Sequence, residues 1–581
     1  MPVLLIRTAD GNFRLNELDG STYGITSLQN AATFTSTTSN NTVTVTRTNH
    51  GFIDEQLVNI ESANLTNGQF EIKLVDANTF TYESAANEGA HTGDACTVGV
   101  GYSVPQWDDA KVGDDITNPE PSFIGKSISK MLFFRNRFSI LADENIVMSR
   151  PGDFTNFFAK SAIQLIASDP IDISASSEYP AILFDGIQVN TGLILFSKNQ
   201  QFMLTTDSDV FSPTTAKINA LSTYNFNFST NPISLGTTVG FLDNAGKFSR
   251  FFEMSQVQRE GEPEILEQSA VVSRLFEKDL KLISNSRENS VIFFSEEGTS
   301  TLYGYKYFNN VRERKLAAWF RWTLTGTIQY HCMQDDNLFV VVRTKTTSPH
   351  KDQLLKYSIK MDANTLAIAE NRVHLDHLME IPKLTSGNPT VTYNATTDKS
   401  TFAKPTGLES SNQLVAYDNS NESSGTQNLG RYGKITVNGS NLELDGDWTG
   451  EAFLIGYQFT MQVDLPTLYY VTKEGESFKA DTRASLVLHR AKLGFGPVGL
   501  YETTLNRTGR IAYTELFELT GADQYAANTS STVDDNTIRE VPIYDANTNV
   551  ALTIKSTHPA PATIHHLTWE GAYNTKFYQR V

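Results

Sequence analysis

Residues 131–158 read MLFFRNRFSILADENIVMSRPGDFTNFF, an apolar, strand-like run with Arg135 and Arg137 set inside it and more polar residues after it. Extended by Lys130, the run KMLFFRNRFSIL is followed by a polar turn and a second apolar stretch, NIVMSR. The same order returns four times, in AILFDGIQV with GLILFS, TTVGFLDN with GKFSRFF, LKLISNSRENSVIFF with its own SVIFFS, and IQYHCMQDD with NLFVVV. The five runs begin near 130, 181, 237, 280 and 328, a spacing of roughly 43 to 56 residues. A third strand is legible in three of them, as QQFMLTT, TLYGYKYF and QLLKYSIK. Short antiparallel strands repeated at this period predict propeller blades, because one blade cannot cover its own faces whereas neighbouring blades bury them all. A sixth blade would come from LVAYD at 414–418 with later strands, or from the region before 130.

Outside these runs, period-two alternation between Gly, Asn, Asp and Ser turns continues. Residues 36–100 form a separate small β module, with NNTVTVTRTNHGF, EQLVNIESANLTNGQFEIKLVDANTFTY and turns at Asn67-Gly68 and Asp76-Ala77-Asn78. Residues 1–35 and 101–130 then belong to one interrupted region. EPEILEQSAVVSRLFEKDLKLI, 262–283, alone carries an extended helical spacing, and predicts a helical insert in the third unit. The segment 380–450 is rich in Thr, Ser, Asn and Gly (KPTGLESSNQ, DNSNESSGTQNLG) and predicts long exposed loops. From 451 to 581 strands resume, as expected of a terminal β-sandwich. The fold class expected is mainly β: a propeller-like core over 131–379 with an inserted β module and a C-terminal sandwich-like region.

Composition narrows the function. Of 581 residues, 39% are hydrophobic and 11% aromatic, which suits an ordered chain with large cores rather than a disordered one. The formal net charge of −18 repels nucleic acid from the average surface. Cys96 and Cys332 are too few for a disulfide framework or a zinc ligand set, and suit two free thiols in a reducing compartment. The N-terminal apolar run, Val3 to Ile6, is too short for a signal sequence, and no stretch is long and apolar enough for a transmembrane helix. Synthesis and assembly in a cytoplasm follow as the expectation.

The chemical constellations are each better read as structure. Asp169 with Asp172, or Asp335 with Asp336, offer paired carboxylates for glycoside hydrolysis. Asp335 and Asp336 sit at a turn, where aspartate bonds its local backbone, and Asp169 and Asp172 suit capping or ion pairing. His374 and His377 would share a face if helical, while His565 and His566 would oppose each other if extended, and neither pair has a third metal ligand at a useful spacing. GFGPVG, 494–499, lacks the ending of a phosphate loop. The basic run VRERKLAAWFRW places Arg312, Arg314, Lys315 and Arg321 among Trp319, Phe320 and Trp322, as in a blade-closing strand with packed tryptophans and snorkelling arginines. No catalytic, cofactor or metal residues emerge.

The string ITNPEPSFIGKSISKMLFFRNRFSILADENIVMSRPGDFTNFFAKSA, with DPIDISASS and LILFSKNQQFMLTT, closely resembles the tail tubular protein B family, the tail nozzles of short-tailed bacteriophages. The similarity is dense from about 101 to 345 and extends to LTWEGAYNTKFYQRV at the end. Residues 36–100 resemble an add-on module of phage structural proteins. The resemblance implies a virion tail protein assembling as six copies around a channel, contacting tail adaptor subunits and tail fibres, retaining double-stranded DNA until the bacterial surface is met and then conducting it outward. It implies no catalytic residues. MPVLLIRTADGNF resembles an internal motif of the family, so the usual N-terminal portion is expected from another chain, or the adaptor docking is rebuilt. The loops of 380–450 are expected at the distal constriction. A receptor-binding or polysaccharide-depolymerising tail spike is the alternative reading.

As residues i and i+2 of one strand, Arg135 and Arg137 would project to the same face. Asp143, Glu144 and Asp153 are the nearby acids, so a fixed ion-pair network between blades is expected.

Overall fold

The computed structural model describes residues 3–7, 13–17, 30–99, 108–255, 262–359, 373–381, 390–449, 453–517 and 536–575, with internal gaps at 53, 55–56, 176, 178–179, 209, 245, 277–278, 310–313, 346–349, 406–407, 409–412, 419–430 and 475–476. Among the described residues the regular elements are β-strands and short 3-10 turns. The chain divides into two compact units, one made of 1–173 with 207–216, the other of 174–206 with 217–581.

In the first unit, alternating Thr and Val explain a closed six-stranded barrel. Its strands are Asn30–Ser36, Thr42–Thr46, Leu57–Glu61, Gly68–Asp76, Thr79–Glu83 and His91–Gly99, and around the barrel they run first, second, fifth, fourth, third, sixth. Val43, Val45, Val58, Ile60, Phe80 and Val98 point inward, while Thr42, Thr44 and Thr46 point away from that core. The first strand pairs with the last, Asn30 opposite Val98, so the chain enters and leaves the barrel side by side, the geometry an inserted module needs. The same unit holds sheet one, in which Ile128–Phe134, Arg137–Ala142, Asn145–Met148 and Ile171–Ser174 follow each other as antiparallel neighbours. KMLFFRNRFSIL is therefore two strands and a turn, where its apolar continuity predicts one strand.

The second unit repeats that pattern. Sheet two covers Leu183–Ser222, sheet three Ile233–Glu267, sheet four Leu282–Thr323 and sheet five Thr327–Ser358, each with strands in chain order. Sheets two to four have four strands, and sheet five has three among the described residues. Strand alternation tells each face where to go. In Val291–Ser295 of sheet four, Ile292 and Phe294 join Leu242 and Phe251 of sheet three, whereas Val291 and Phe293 join Leu338 and Val340 of sheet five. Sheet three does the same with Phe252 and Met254, which meet Ile194 and Phe196 of sheet two. Neighbouring sheets thus share cores face to face, as blades do. Truncating Phe294 to Ala would cost about 3–5 kcal/mol, the usual range for a fully buried phenylalanine.

Two expectations are corrected here. The 262–283 stretch is no helical insert: Glu264–Glu267 is the fourth strand of sheet three, and Ala270–Val272 is one 3-10 turn. Pairing with Arg250–Ser255 outweighs the local periodicity, and the apolar residues beyond it are consumed by Phe276 and Leu280, which fill the core between sheets three and four. The described part of 380–450 is likewise not loop. With Asp376–Ile381 and Phe453–Tyr457 it forms two four-stranded sheets around Phe402, Leu414, Leu442, Leu444, Trp448 and Phe453. Its strands are three to six residues long and are separated by the Ser-, Asn- and Gly-rich runs that masked them, most of which fall outside the described residues.

Two hairpins stand apart, Val3–Arg7 with Phe13–Glu17 and Val471–Glu474 with Ser477–Ala480, and the remaining strands form a four-stranded sheet (Met461–Asp464, Val550–Ser556, Tyr501–Arg507, Tyr513–Phe517) and a three-stranded one (Thr537–Ala546, Ser485–Val498, Ala562–Asn574). Leu488, Leu493 and Phe495 of one meet Tyr501, Leu505 and Ile554 of the other in a single core, a sandwich arrangement.

Candidate functional site: two inward-facing arginines

The turn between the first two strands of sheet one consists of Arg135 and Asn136, with φ of 48° and 59°. Two positive φ values match the right-handed twist of a two-residue hairpin, and asparagine tolerates them better than most residues. A hydrogen bond from Gly152 N to Asn136 O braces the turn. Arg135 therefore leaves the strand and lies exposed, its guanidinium 5.3 Å from the ring centroid of Phe211 and 5.6 Å from that of Phe134. Arg137 opens the next strand and points inward, 2% exposed.

The expected shared network is thus corrected, and its physical reason is the turn, which sends the two guanidinia apart. Arg137 donates from Nη1 to Ser149 O at 2.8 Å and to Asp169 O at 2.7 Å, and from Nη2 to Ala167 O at 2.9 Å. Burial lowers its pKa, and the charge of Asp169 opposes that. Asp169 itself accepts Lys160 N and Ile166 N, pinning the same loop. The acids expected to serve Arg135 and Arg137 lie elsewhere: Asp143 pairs with Lys126 at 3.4 Å, and Asp153 with Arg150 at 4.0 Å. Glu144 is half-buried in the turn beside Asp143.

A lock between sheets does exist, in the second unit. Arg314 of sheet four donates to both carboxylate oxygens of Glu253 of sheet three, at 2.7 and 2.8 Å, and to Tyr305 Oη at 3.0 Å. Its guanidinium lies 5.3 Å from the Tyr307 ring centroid, and Thr238 Oγ1 donates to Glu253 Oε1 at 2.8 Å. Burial lowers the pKa of Arg314, and the bonds to Glu253 more than offset it. Arg314 belongs to the run expected to snorkel, and Glu253 is not among the residues that the sequence singles out. The available signal was an isolated acid inside an apolar strand, FFEMS. Trp319 of the same basic run stacks on Tyr305 at 4.2 Å, while Arg312 lies outside the described residues.

The other candidates separate. Asp172 accepts Ser122 N, Ser122 Oγ and Asn145 Nδ2. Asp335 and Asp336 form the expected turn, and Asp336 receives Asn289 Nδ2 of sheet four at 2.9 Å. His377 packs edge-on against Tyr457 at 5.2 Å. His565 and His566 do not oppose each other. A bulge after Gly494 lays both rings over glycines of the neighbouring strand, His566 at Gly494 and His565 at Gly496, so the first two glycines of GFGPVG serve close approach of two imidazoles. Cys96 is in the barrel core, where burial pushes its thiol up to about 11, and Cys332 is half-buried; both are free. Among the described residues no group of three or more His, Cys, Asp or Glu is placed to hold a metal, and no helix is long and apolar enough to cross a membrane.

The family described as bacteriophage nozzle protein matches the chain over residues 1–580. The tail tubular protein gp12 of Escherichia phage T7 is 27% identical over 245 residues, 41% of this chain and 31% of that protein, so the match spans about a third of the relative's length. Among solved structures, the Pan2 WD40 domain of Neurospora crassa aligns over 61% of this chain and 98% of its own, at 11% identity and a TM-score of 0.26. The phage phi92 endosialidase aligns over 87% and 70%, at 10% identity and a TM-score of 0.19. At those scores neither likeness carries an argument.

Proposed function

The chain belongs to the bacteriophage nozzle protein family, a component of the virion tail, and from that premise we propose that it forms the distal tail nozzle of a short-tailed phage. The match along nearly the whole chain carries this reading. Six copies of the chain close a ring around a channel that retains double-stranded DNA and conducts it during ejection. Adaptor subunits and tail fibres are its virion partners, and the bacterial surface is where it opens. A duplex passing through must be confined without being gripped. Lys and Arg contacts release counterions and bind, whereas an acidic lining leaves the duplex hydrated and mobile, which the net charge of −18 per chain suits. Identical subunits with head-to-tail contacts close only when their rotation divides a full turn. We place the distal constriction in the 380–450 region and assign the chain no enzymatic activity.

Electron microscopy of the assembled particle tests the proposal. An open ring in axial projection is expected, and a solid trimeric spike would overturn it. Incubating the purified protein with capsule or lipopolysaccharide should release no sugar; release would favour the depolymerase instead.

A further inference from the structure

The loop Thr557-His558-Pro559-Ala560 joins Val550–Ser556 to Ala562–Asn574 in the C-terminal sandwich. Three successive residues of it are gripped by the preceding double-sheet module and the chain leading into and out of it. Gln458 Nε2 donates to Thr557 O, and His374 N donates to Pro559 O at 2.8 Å. Between them the His558 ring sits 4.8 Å from Tyr432 and 6.5 Å from Tyr417, a cross-strand tyrosine pair on adjacent strands of the module. Gln458 Nε2 also donates to Tyr432 Oη at 3.2 Å, so one amide ties the seat to the loop.

Within its own loop, His558 Nδ1 accepts Ala560 N at 3.1 Å. The neutral ring therefore carries its proton on Nε2. A second proton has to go to Nδ1, where it meets the Ala560 N–H head-on. The bond that shapes the loop is lost, and a cation is left among aromatic rings. The elements packed around the ring carry Asp418 and Arg431 beside the tyrosine pair, Lys434 on the Tyr432 strand, Lys555 on the incoming sandwich strand, and His374. None of these shifts the ring; burial alone does, holding its pKa at about 4.

We propose that the Thr557–Ala560 loop is an acid-sensitive latch: protonation of His558 releases the C-terminal sandwich from the double-sheet module while leaving both cores intact. The latch stands independently of the nozzle reading. Its sign follows from linkage. The free ring binds a proton near 6.5 and the docked ring only near 4, so docking is fully favoured above about pH 6.5 and weakens as pH falls toward 4. Between pH 7 and 5 the docking constant falls by about twenty-fold on those two values.

Hydrogen exchange by mass spectrometry on the full chain, corrected for intrinsic rates, tests this at pH 7 and pH 5. Peptides covering 413–418, 431–434 and 557–561 are expected to lose protection by about that factor. Peptides of sheets two and three, which carry no histidine, serve as the internal comparison. In His558→Gln the three peptides should show no such pH dependence. Retention of the wild-type loss in that variant, or full protection of the wild type at pH 5, overturns the latch. If the variant fails to fold, C2-proton exchange of His558 in the wild type decides: a midpoint well below 6 upholds the latch, and one near 6.5 overturns it.

Discussion

Arg137 and Arg314 are both arginines drawn out of water inside β-sheets, and they are neutralised in opposite ways. Arg137 meets three backbone carbonyls of a loop that has no ladder to bond. Arg314 meets a carboxylate that is itself 5% exposed. The first arrangement shapes a loop within one sheet's surroundings, and the second ties two sheets together. A guanidinium thus needs acceptors in a fork geometry more than it needs a formal negative charge, and acids nearby in sequence do not decide which acceptors it finds.

The largest effect expected from breaking this comparison is at Arg137. Arg137→Ala orphans the buried carbonyls of Ser149 and Asp169 at about 1–3 kcal/mol each, so a loss of about 2–6 kcal/mol is expected in urea unfolding of the first unit. Arg137→Lys should recover less than half, because an ammonium cannot span the three oxygens. A cost below about 1 kcal/mol would show that water replaces the guanidinium without penalty.

Arg314→Ala should cost about 3–5 kcal/mol by leaving Glu253 buried without its counter-charge, whereas Arg314→Met with Glu253→Leu should cost much less than the single change. Equal costs for single and double variants would mean that packing, not charge, makes that lock.

Asp376 sharpens the comparison as a half-buried carboxyl for which no counter-charge shifts the pKa, and burial pushes it up to about 6. A raised pKa means that the folded state holds its proton more tightly. The resulting stability is complete below the ordinary carboxylate value near 4 and is lost as pH rises through 6. Asp376→Asn should therefore melt a few degrees higher than wild type at pH 7, about 2–4 °C per kcal/mol recovered, whereas at pH 4 the two should melt at the same temperature. A pH-independent difference would refute the assignment.

The smallest effect belongs to Arg135. Replacement by Gly relieves a positive φ and loses two ring contacts, so thermal unfolding should register less than about 1 kcal/mol in either direction.

The five sheets were legible as a repeat because each contains an apolar pair of strands around a polar turn. Sheet three shows the limit: its first strand, Ile233–Ser234, is two residues long, so TTVGFLDN, read as a first strand, is the second. Outer strands such as Ala216–Ser222 and Glu264–Glu267 were missed because one side of each faces solvent and their pattern is weak. The hairpin at Arg135-Asn136 was missed because it lacks the glycine that usually marks such a turn. At the site, the turn role of Asp335 and Asp336 was legible from local backbone preference alone.

By itself the sequence determined that the chain is a repeating β protein with an inserted small β module, and that its likeness runs to phage tail nozzles. Alternation, turn residues and composition are local quantities, and they suffice for those conclusions. The tertiary structure alone decided that Arg137 serves carbonyls, that Glu253 and Arg314, sixty-one residues apart, form the inter-sheet lock, and that His558 lies between Tyr417 and Tyr432. Those partners are chosen by which sheet stacks on which, and a residue's acceptors across a sheet interface are not encoded by its neighbours along the chain.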